Sequence, residues 1–333
     1  MGQVSARPRV PVNIPITIWI FAGTLVVRRG KRRFAAMLRR AYFVMVLALL
    51  GFCGPVLAED VPGCPVCTAW NAPQAPFKIY GNTYYVGVHG LSSLLIDTGQ
   101  GLVLIDGDLP QSPPQIEANI KTLGFKPDDI KLILNSHPHF DYAGGLRTLQ
   151  QLTHAPVLAS AWSAKVLRAG GVDRDDPQYG VPLPIDAVAN VREVRDGEVA
   201  RLGRMAFVAH DTPGHTPGGA SWTWLSCEKT RCLRMVYADS LNPASAPGYL
   251  FSSHPEVLKD FEKSFAMVSA LPCDVLLTPH TDISDLLGKW QRRAQGATPD
   301  PFIDSNACRA FAEKSRSDLA ARLAREKSSL PNK

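Results

Sequence analysis

The chain is 333 residues long, 45% hydrophobic and 20% charged, which is the balance of an ordinary globular protein. Its formal net charge of +6 misleads, because residues 1–58 hold nine Arg or Lys and no Asp or Glu, leaving 27 basic against 30 acidic residues beyond them. A near-neutral body excludes an electrostatic case for nucleic-acid binding.

The first 58 residues read as a targeting segment. Met37-Leu38-Arg39-Arg40 is a basic start, Ala41 to Leu50 an apolar core of signal-peptide length, and Val56-Leu57-Ala58 sets small residues at a cleavage position before Glu59. A signal peptide over 37–58 predicts export to the periplasm or medium, with Met37 as a candidate true start. The alternative is a membrane anchor over the apolar run 13–27, which at about 15 residues is short for a spanning helix. Bulky Phe52 before Cys53 argues against lipidation there.

Residues 59–333 read as a single domain. Export implies an oxidising compartment, and the six cysteines that follow residue 58 suit disulfides. Cys227 and Cys232 flank the polar turn Glu228-Lys229-Thr230-Arg231, as at a hairpin tip, and Cys273 with Cys308 would tie the last helix to the body. Cys64-Pro65-Val66-Cys67 has redox-motif spacing, but no thioredoxin-like strand precedes it, so it reads as a structural staple of the N-terminal arm. Next, Phe77 to Gly87 and Ser92 to Asp106 read as successive hairpins. Helical periodicity spans Pro113 to Gly124, and the apolar run Ile130–Leu134 reads as a buried strand. Helix Leu146–Leu152, strand Pro156–Ala159 and helix Trp162–Arg168 follow. Residues 170–190, rich in Gly, Pro and Asp, have the irregularity of a binding loop. Strand patterning returns over Val191–Leu225 and Leu233–Asp239. Helix His254–Leu271, strand Asp274–Leu277 and helix Cys308–Lys327 complete a layered α/β chain, sheets inside and helices outside.

The chemistry concentrates at strand ends. His137-Pro138-His139-Phe140-Asp141-Tyr142 follows strand Ile130–Leu134, His215 lies in the Gly/Pro loop Asp211–Gly219, and His280 directly follows strand Asp274–Leu277. Imidazole nitrogens and a carboxylate oxygen are the donors that Zn²⁺ accepts. Five such residues in three strand-end loops indicate a metal site built on loops from a rigid scaffold.

These motifs carry a family resemblance. His137-x-His139-x-Asp141, Pro-Gly-His215-Thr-Pro-Gly and Thr-Pro-His280 together resemble the metallo-β-lactamase superfamily. Trp70-Asn71, Tyr80-Gly81-Asn82-Thr83-Tyr84-Tyr85-Val86-Gly87, Ser221-Trp222-Thr223-Trp224 and Tyr237-Ala238-Asp239-Ser240-Leu241 look like its subclass B3, collinear over about residues 68–325. The resemblance implies an αβ/βα four-layer sandwich, two mixed sheets flanked by helices, with a zinc groove on one edge.

It further implies a zinc-dependent hydrolase, a small-molecule β-lactam substrate, and a monomer with no stable membrane association after signal cleavage. His137, His139 and His215 would form the first zinc site. Asp141 and His280 would belong to the second, Asp141 also orienting the attacking water. Asp106 would orient a ligand histidine from outside the shell, and Asp239 would support the site rather than ligate. Ser240 and Asn242 resemble the segment that contacts the substrate carboxylate, although family members often carry Ser or Thr where Asn242 stands. Tyr142 departs from the family's usual second-site histidine, and three outcomes stay open: a weak or empty second site, so that one or two zinc ions bind; a phenolate ligand; or a shell completed by water or another side chain. Some relatives carry a cysteine where this chain has His89, paired to the N-terminal arm, so here Cys64 and Cys67 would pair with each other. Another hydrolase of the same fold, acting on a lactone, thioester or phosphoester, is the rival reading, and a catalytically weak metal-binding relative is the second. His89, His154, His210 and His254 read as structural or exposed, and Trp222 and Trp224 as core.

Overall fold

The computed structural model describes residues 63–329, so the signal-peptide, anchor, start-site and lipidation expectations lie outside the described residues. The described residues fall in one compact unit. No helix among the described residues is long and apolar enough to cross a membrane.

A short N-terminal helix, α1 (Cys67–Trp70), leads into strands β1 (Phe77–Tyr80), β2 (Thr83–Tyr85), β3 (Leu94–Asp97) and β4 (Leu102–Ile105). These pair antiparallel in sequence order, as the hairpin turns at Gly81-Asn82 and Gly99 require. Helix α2 (Pro113–Thr122) carries the chain to β5 (Ile130–Leu134), parallel to β4. The one-turn helix α3 (Phe140–Ala143) and α4 (Leu146–Thr153) lead to β6 (Val157–Ser160), and α5 (Ala161–Ala169) to β7 (Val191–Val194), closing a seven-stranded mixed sheet in the order β1 to β7. The second sheet has the order β12-β11-β10-β9-β8, from β8 (Val199–Leu202), β9 (Met205–Asp211), β10 (Ala220–Glu228), β11 (Arg231–Tyr237) and β12 (Val275–Leu277). Helices α6 (Pro255–Ala270), α7 (Leu286–Ala294) and α8 (Ala307–Ser329) belong to this half.

Alternation along each strand builds the layers. Inward residues of both sheets share one core, with Leu94, Ile96, Val103 and Leu134 of the first facing Phe207, Trp222, Met235 and Val275 of the second. The opposite face of the first sheet packs under α2, α4 and α5 through Leu104, Ile133, Ile116, Leu149 and Leu167. The opposite face of the second packs under α6 and α8 through Val236, Leu276, Phe261, Phe265 and Leu319. The result is the expected four-layer sandwich. Trp222 and Trp224 lie in the central core, 0% and 4% exposed.

Among the described residues three disulfides staple the periphery: Cys64–Cys67 in the arm, Cys227–Cys232 directly opposite each other on β10 and β11, and Cys273–Cys308 joining the segment before β12 to α8. The helix α7 was not expected from the sequence. The 170–190 stretch is irregular, as its composition predicts, and it reaches the candidate site.

Candidate metal centre

The site forms where the two sheets are tied edge to edge. Strand β5 ends at Leu134, and Asn135 and Ser136 then accept bonds from the second sheet, Trp222 Nε1 to the Asn135 carbonyl (3.1 Å) and Ala220 N to the Ser136 carbonyl (2.8 Å). This anchors the segment that delivers His137 and His139. His139 is the N-cap of α3, so Asp141 and Tyr142 sit on a helical turn rather than on open loop. His215 comes from the β9–β10 loop. That loop is held by Ser264 Oγ donating to the Pro213 carbonyl (2.6 Å) and by Ser160 and Ser163 hydroxyls donating to the Gly218 carbonyl (2.7 and 2.8 Å). Gly214 there adopts φ +132° against the Phe261 ring, a conformation and an approach that deny any side chain. His280 follows β12 and packs on Trp70, ring centroids 4.9 Å apart.

His137, His139 and His215 converge, each offering a nitrogen within 4.8 Å of the others. They are 0%, 6% and 5% exposed. The outer nitrogen of each ring faces an acceptor: His137 Nδ1 to Asp239 Oδ1 (2.7 Å), His139 Nε2 to Asp176 Oδ2 (2.7 Å), His215 Nδ1 to the Asn242 carbonyl (2.9 Å). An outer nitrogen that donates leaves the inner one with a lone pair, so three lone pairs point at one place. His137 Nε2 and His139 Nδ1 lie 3.1 Å apart. Two ligands on one tetrahedral zinc, each about 2 Å from it, stand about 3.3 Å apart. The donor set therefore fits a zinc ion. Gln178 Nε2 lies 3.1 Å from His215 Nε2, on the nitrogen such an ion would take.

Protonation follows the same geometry. Burial, with His139 beside it, holds His137 well below the usual histidine range. Burial, with His137 and His139 adding to it, pushes His215 down to about 3. Burial also acts to lower His139, but the bond and charge of Asp176 outweigh it and raise that imidazole. Burial works to raise Asp176, yet its bond to His139 keeps it below the ordinary carboxylate value. A proton on His139 Nδ1 would take the lone pair that faces His137 Nε2, so proton and metal would compete for one point.

Asp141 and His280 stand beside this cluster, not in it, with His280 Nε2 3.6 Å from Asp141 Oδ2. Tyr142 is 1% exposed, its ring edge-on to His137 and His280. Burial first, then the Asp141 charge, push its pKa well above 10. Ser240, 1% exposed, and Asn242 both line a groove of about 250 Å³ shared with Gln178, Asp141 and His280.

The bond expected from Asp106 to a ligand histidine is not the one it makes. Asp106 turns left-handed (φ +55°), and its carboxylate accepts from Ser136 N (2.8 Å), Ser136 Oγ (2.6 Å), Asn135 Nδ2 (3.0 Å) and Tyr237 OH (2.9 Å). It fixes the segment before His137. Burial pushes it, like Asp239, up to about 7. Asp239 holds the His137 ring directly. Asp176 and Gln178 were missed, because nothing in a structureless stretch marks which polar residue turns inward. The only available signal was that the stretch is long. His89 and His154 are exposed, His210 bonds Thr223, and His254 stacks on Tyr249.

Comparison with known proteins places these features. Residues 79–227 match the profile described as the metallo-beta-lactamase superfamily. The crystal structure of MEM-A1, a subclass B3 metallo-beta-lactamase isolated from a soil metagenome library, is 50% identical, with a TM-score of 0.76 over 78% of this chain and 100% of that one. The Rm3 metallo-beta-lactamase is 51% identical, with a TM-score of 0.77 over 80% of this chain and 100% of that one. Among curated relatives, the uncharacterized protein YobT of Bacillus subtilis (strain 168) is 32% identical over 146 residues, 42% of this chain and 59% of YobT. The chain thus spans about half the length of the curated relatives it matches first.

Proposed function

The chain belongs to the metallo-β-lactamase superfamily and, within it, to subclass B3, and on that premise we propose that it is an exported zinc hydrolase that opens β-lactam rings. The observation that carries the reading is the convergence of three imidazole lone pairs, each turned inward by an outer acceptor, beside an open groove. Three disulfides support export to an oxidising compartment. Three imidazoles leave a fourth tetrahedral position open, as catalytic zinc requires. The ion, when bound, would supply a Lewis acid for the lactam carbonyl and lower the pKa of a water to about 7.

The chain's own residues do the rest. His137, His139 and His215 would hold the ion, with Asp239, Asp176 and the Asn242 carbonyl fixing their tautomers. Asp141 would orient the attacking water and accept its proton, with His280 Nε2 3.6 Å from its carboxylate. Asn242 would present its amide to the substrate carboxylate from the groove wall, which Ser240 also lines.

The second metal site is the altered part of this centre. Of its family ligands only Asp141 and His280 remain. A phenol is a poorer ligand than the imidazole it replaces unless the metal deprotonates it, so the reading is one tightly held ion per chain and a narrower or slower lactamase. The test is a substrate panel at fixed metal loading, comparing a chromogenic cephalosporin with a lactone, a thioester and a phosphodiester. Cephalosporin cleavage should dominate; a lactone or thioester cleaved faster would transfer the reading to another hydrolase of this fold.

A further inference from the structure

A second cavity, of about 440 Å³, lies between the α7 and α8 segments and Leu241–Asn242 in the loop after β11, within the range of small-molecule sites, about 300–1,000 Å³. Leu276, Ile283, Ala310 and Phe311 supply apolar walls. Most charges on its rim are already paired: Lys314 with Asp318 (2.6 Å) and Asp285 with Arg292 (2.7 Å). Lys289 is the exception. Its ammonium has no hydrogen bond or ion pair among the described residues. The carboxylates it feels are Asp285, engaged by Arg292, and Asp304, which accepts from Asn306 N (2.9 Å). Burial lowers the Lys289 pKa from its ordinary value, against the opposing pull of Asp285 and Asp304. A cavity with apolar walls and one unanswered cation is complementary to an anion with an apolar body.

The cavity also touches the metal centre from behind. Asn242 lines both hollows, and its carbonyl holds His215 Nδ1. Ser284, on the same wall, meets the Thr278 hydroxyl (2.9 Å), which donates to the His280 carbonyl (2.8 Å). We propose that this cavity is a second ligand site for a small carboxylate with an aryl or alkyl body, and that its occupancy alters how firmly His215 holds metal. The carboxylate pairs with Lys289, the apolar body fills the space against Phe311 and Ala310, and pressure on Leu241–Asn242 reaches the histidine.

The experiment is calorimetric titration of the metal-stripped protein with 4-phenylbutyrate, which separates this site from the metal and from any lactam chemistry. Saturable binding is expected, weakened about tenfold in Lys289→Gln and equally for the uncharged 4-phenylbutanol, retained in Lys289→Arg, and lost in Ala310→Trp, which fills the cavity. If Ala310→Trp fails to fold by circular dichroism, the Gln/Arg pair at 289 decides. No saturation up to about 10 mM, or equal binding by Lys289→Gln, overturns the site. Saturating probe should change metal release to a chromogenic chelator by about fivefold in the unmodified protein and not in Lys289→Gln; an unchanged release rate overturns the coupling.

Discussion

Asp176→Ala isolates the reasoning behind the centre. Asp176 Oδ2 sits 2.7 Å from His139 Nε2, the carboxylate and the imidazole being 6% and 6% exposed, so no bulk water stands ready to replace it. Its loss removes the acceptor that keeps the His139 Nδ1 lone pair inward and leaves a buried N–H without a partner, a cost of about 1–3 kcal/mol. Outer-shell losses of this kind weaken metal binding about 10–100-fold. We therefore expect zinc affinity at pH 8, measured by competition with a fluorescent chelator, to fall by that factor. A second effect has the opposite sign. Asp176 raises His139 above the usual histidine value of about 6.5, so in the unmodified protein protons begin to displace metal as pH falls through that raised value. Without Asp176, burial lowers His139, and the acid midpoint of metal release, corrected for the weaker affinity, moves to lower pH. Asp176→Asn keeps an acceptor oxygen but not the charge, so it should lose less affinity and still show the acid shift. Affinity within twofold of the original for Asp176→Ala, with an unmoved midpoint, would refute the claim that this carboxylate sets the tautomer.

Tyr142→His should raise bound zinc from about one to two ions per chain by elemental analysis and increase cephalosporin turnover, since three protein donors then face the second position; an unchanged stoichiometry would show that the phenol is not what limits it. Gly219→Ala places a Cβ 2.4 Å from both Asp239 Oδ2 and the Thr212 carbonyl. It should lower stability by about 1–3 kcal/mol in urea unfolding and weaken zinc binding by displacing the carboxylate from His137. Replacing both Cys273 and Cys308 with Ser opens a bridge of sequence separation 35. The expected loss is about 3–4 kcal/mol, read as a lower Tm with turnover per folded chain unchanged.

Much of this centre was legible because metal chemistry restricts residue type and spacing. A strand as apolar as Ile130–Leu134 must be buried, and His-x-His-x-Asp at its end has little other use. The same logic reaches His215 and His280 through their Gly/Pro punctuation. Partners chosen by tertiary packing are a different matter. Asp176 and Gln178 arrive from a stretch with no period, and whether Asp106 or Asp239 touches a ligand ring depends on one left-handed turn (φ +55°) and on how β11 lies beside β10. Helix α7 is not legible in the sequence although Leu286 and Leu287 are buried, because Gly288 and the neighbouring Asp and Arg residues dilute its pattern. The placement of Asp141 on a helical turn likewise depends on Gly144 and Gly145 packing against Pro110 and Gly107, which no local pattern announces.

The central claim is that one metal ion, held by His137, His139 and His215, makes this chain a β-lactam hydrolase. The most direct measurement takes a single preparation and follows both bound zinc per chain and hydrolysis of a chromogenic cephalosporin as a chelator is titrated in and zinc is then restored. Activity that falls and returns in proportion to the first equivalent of zinc is the expected result. Full zinc occupancy without cephalosporin hydrolysis, or hydrolysis that survives removal of the metal, would contradict it.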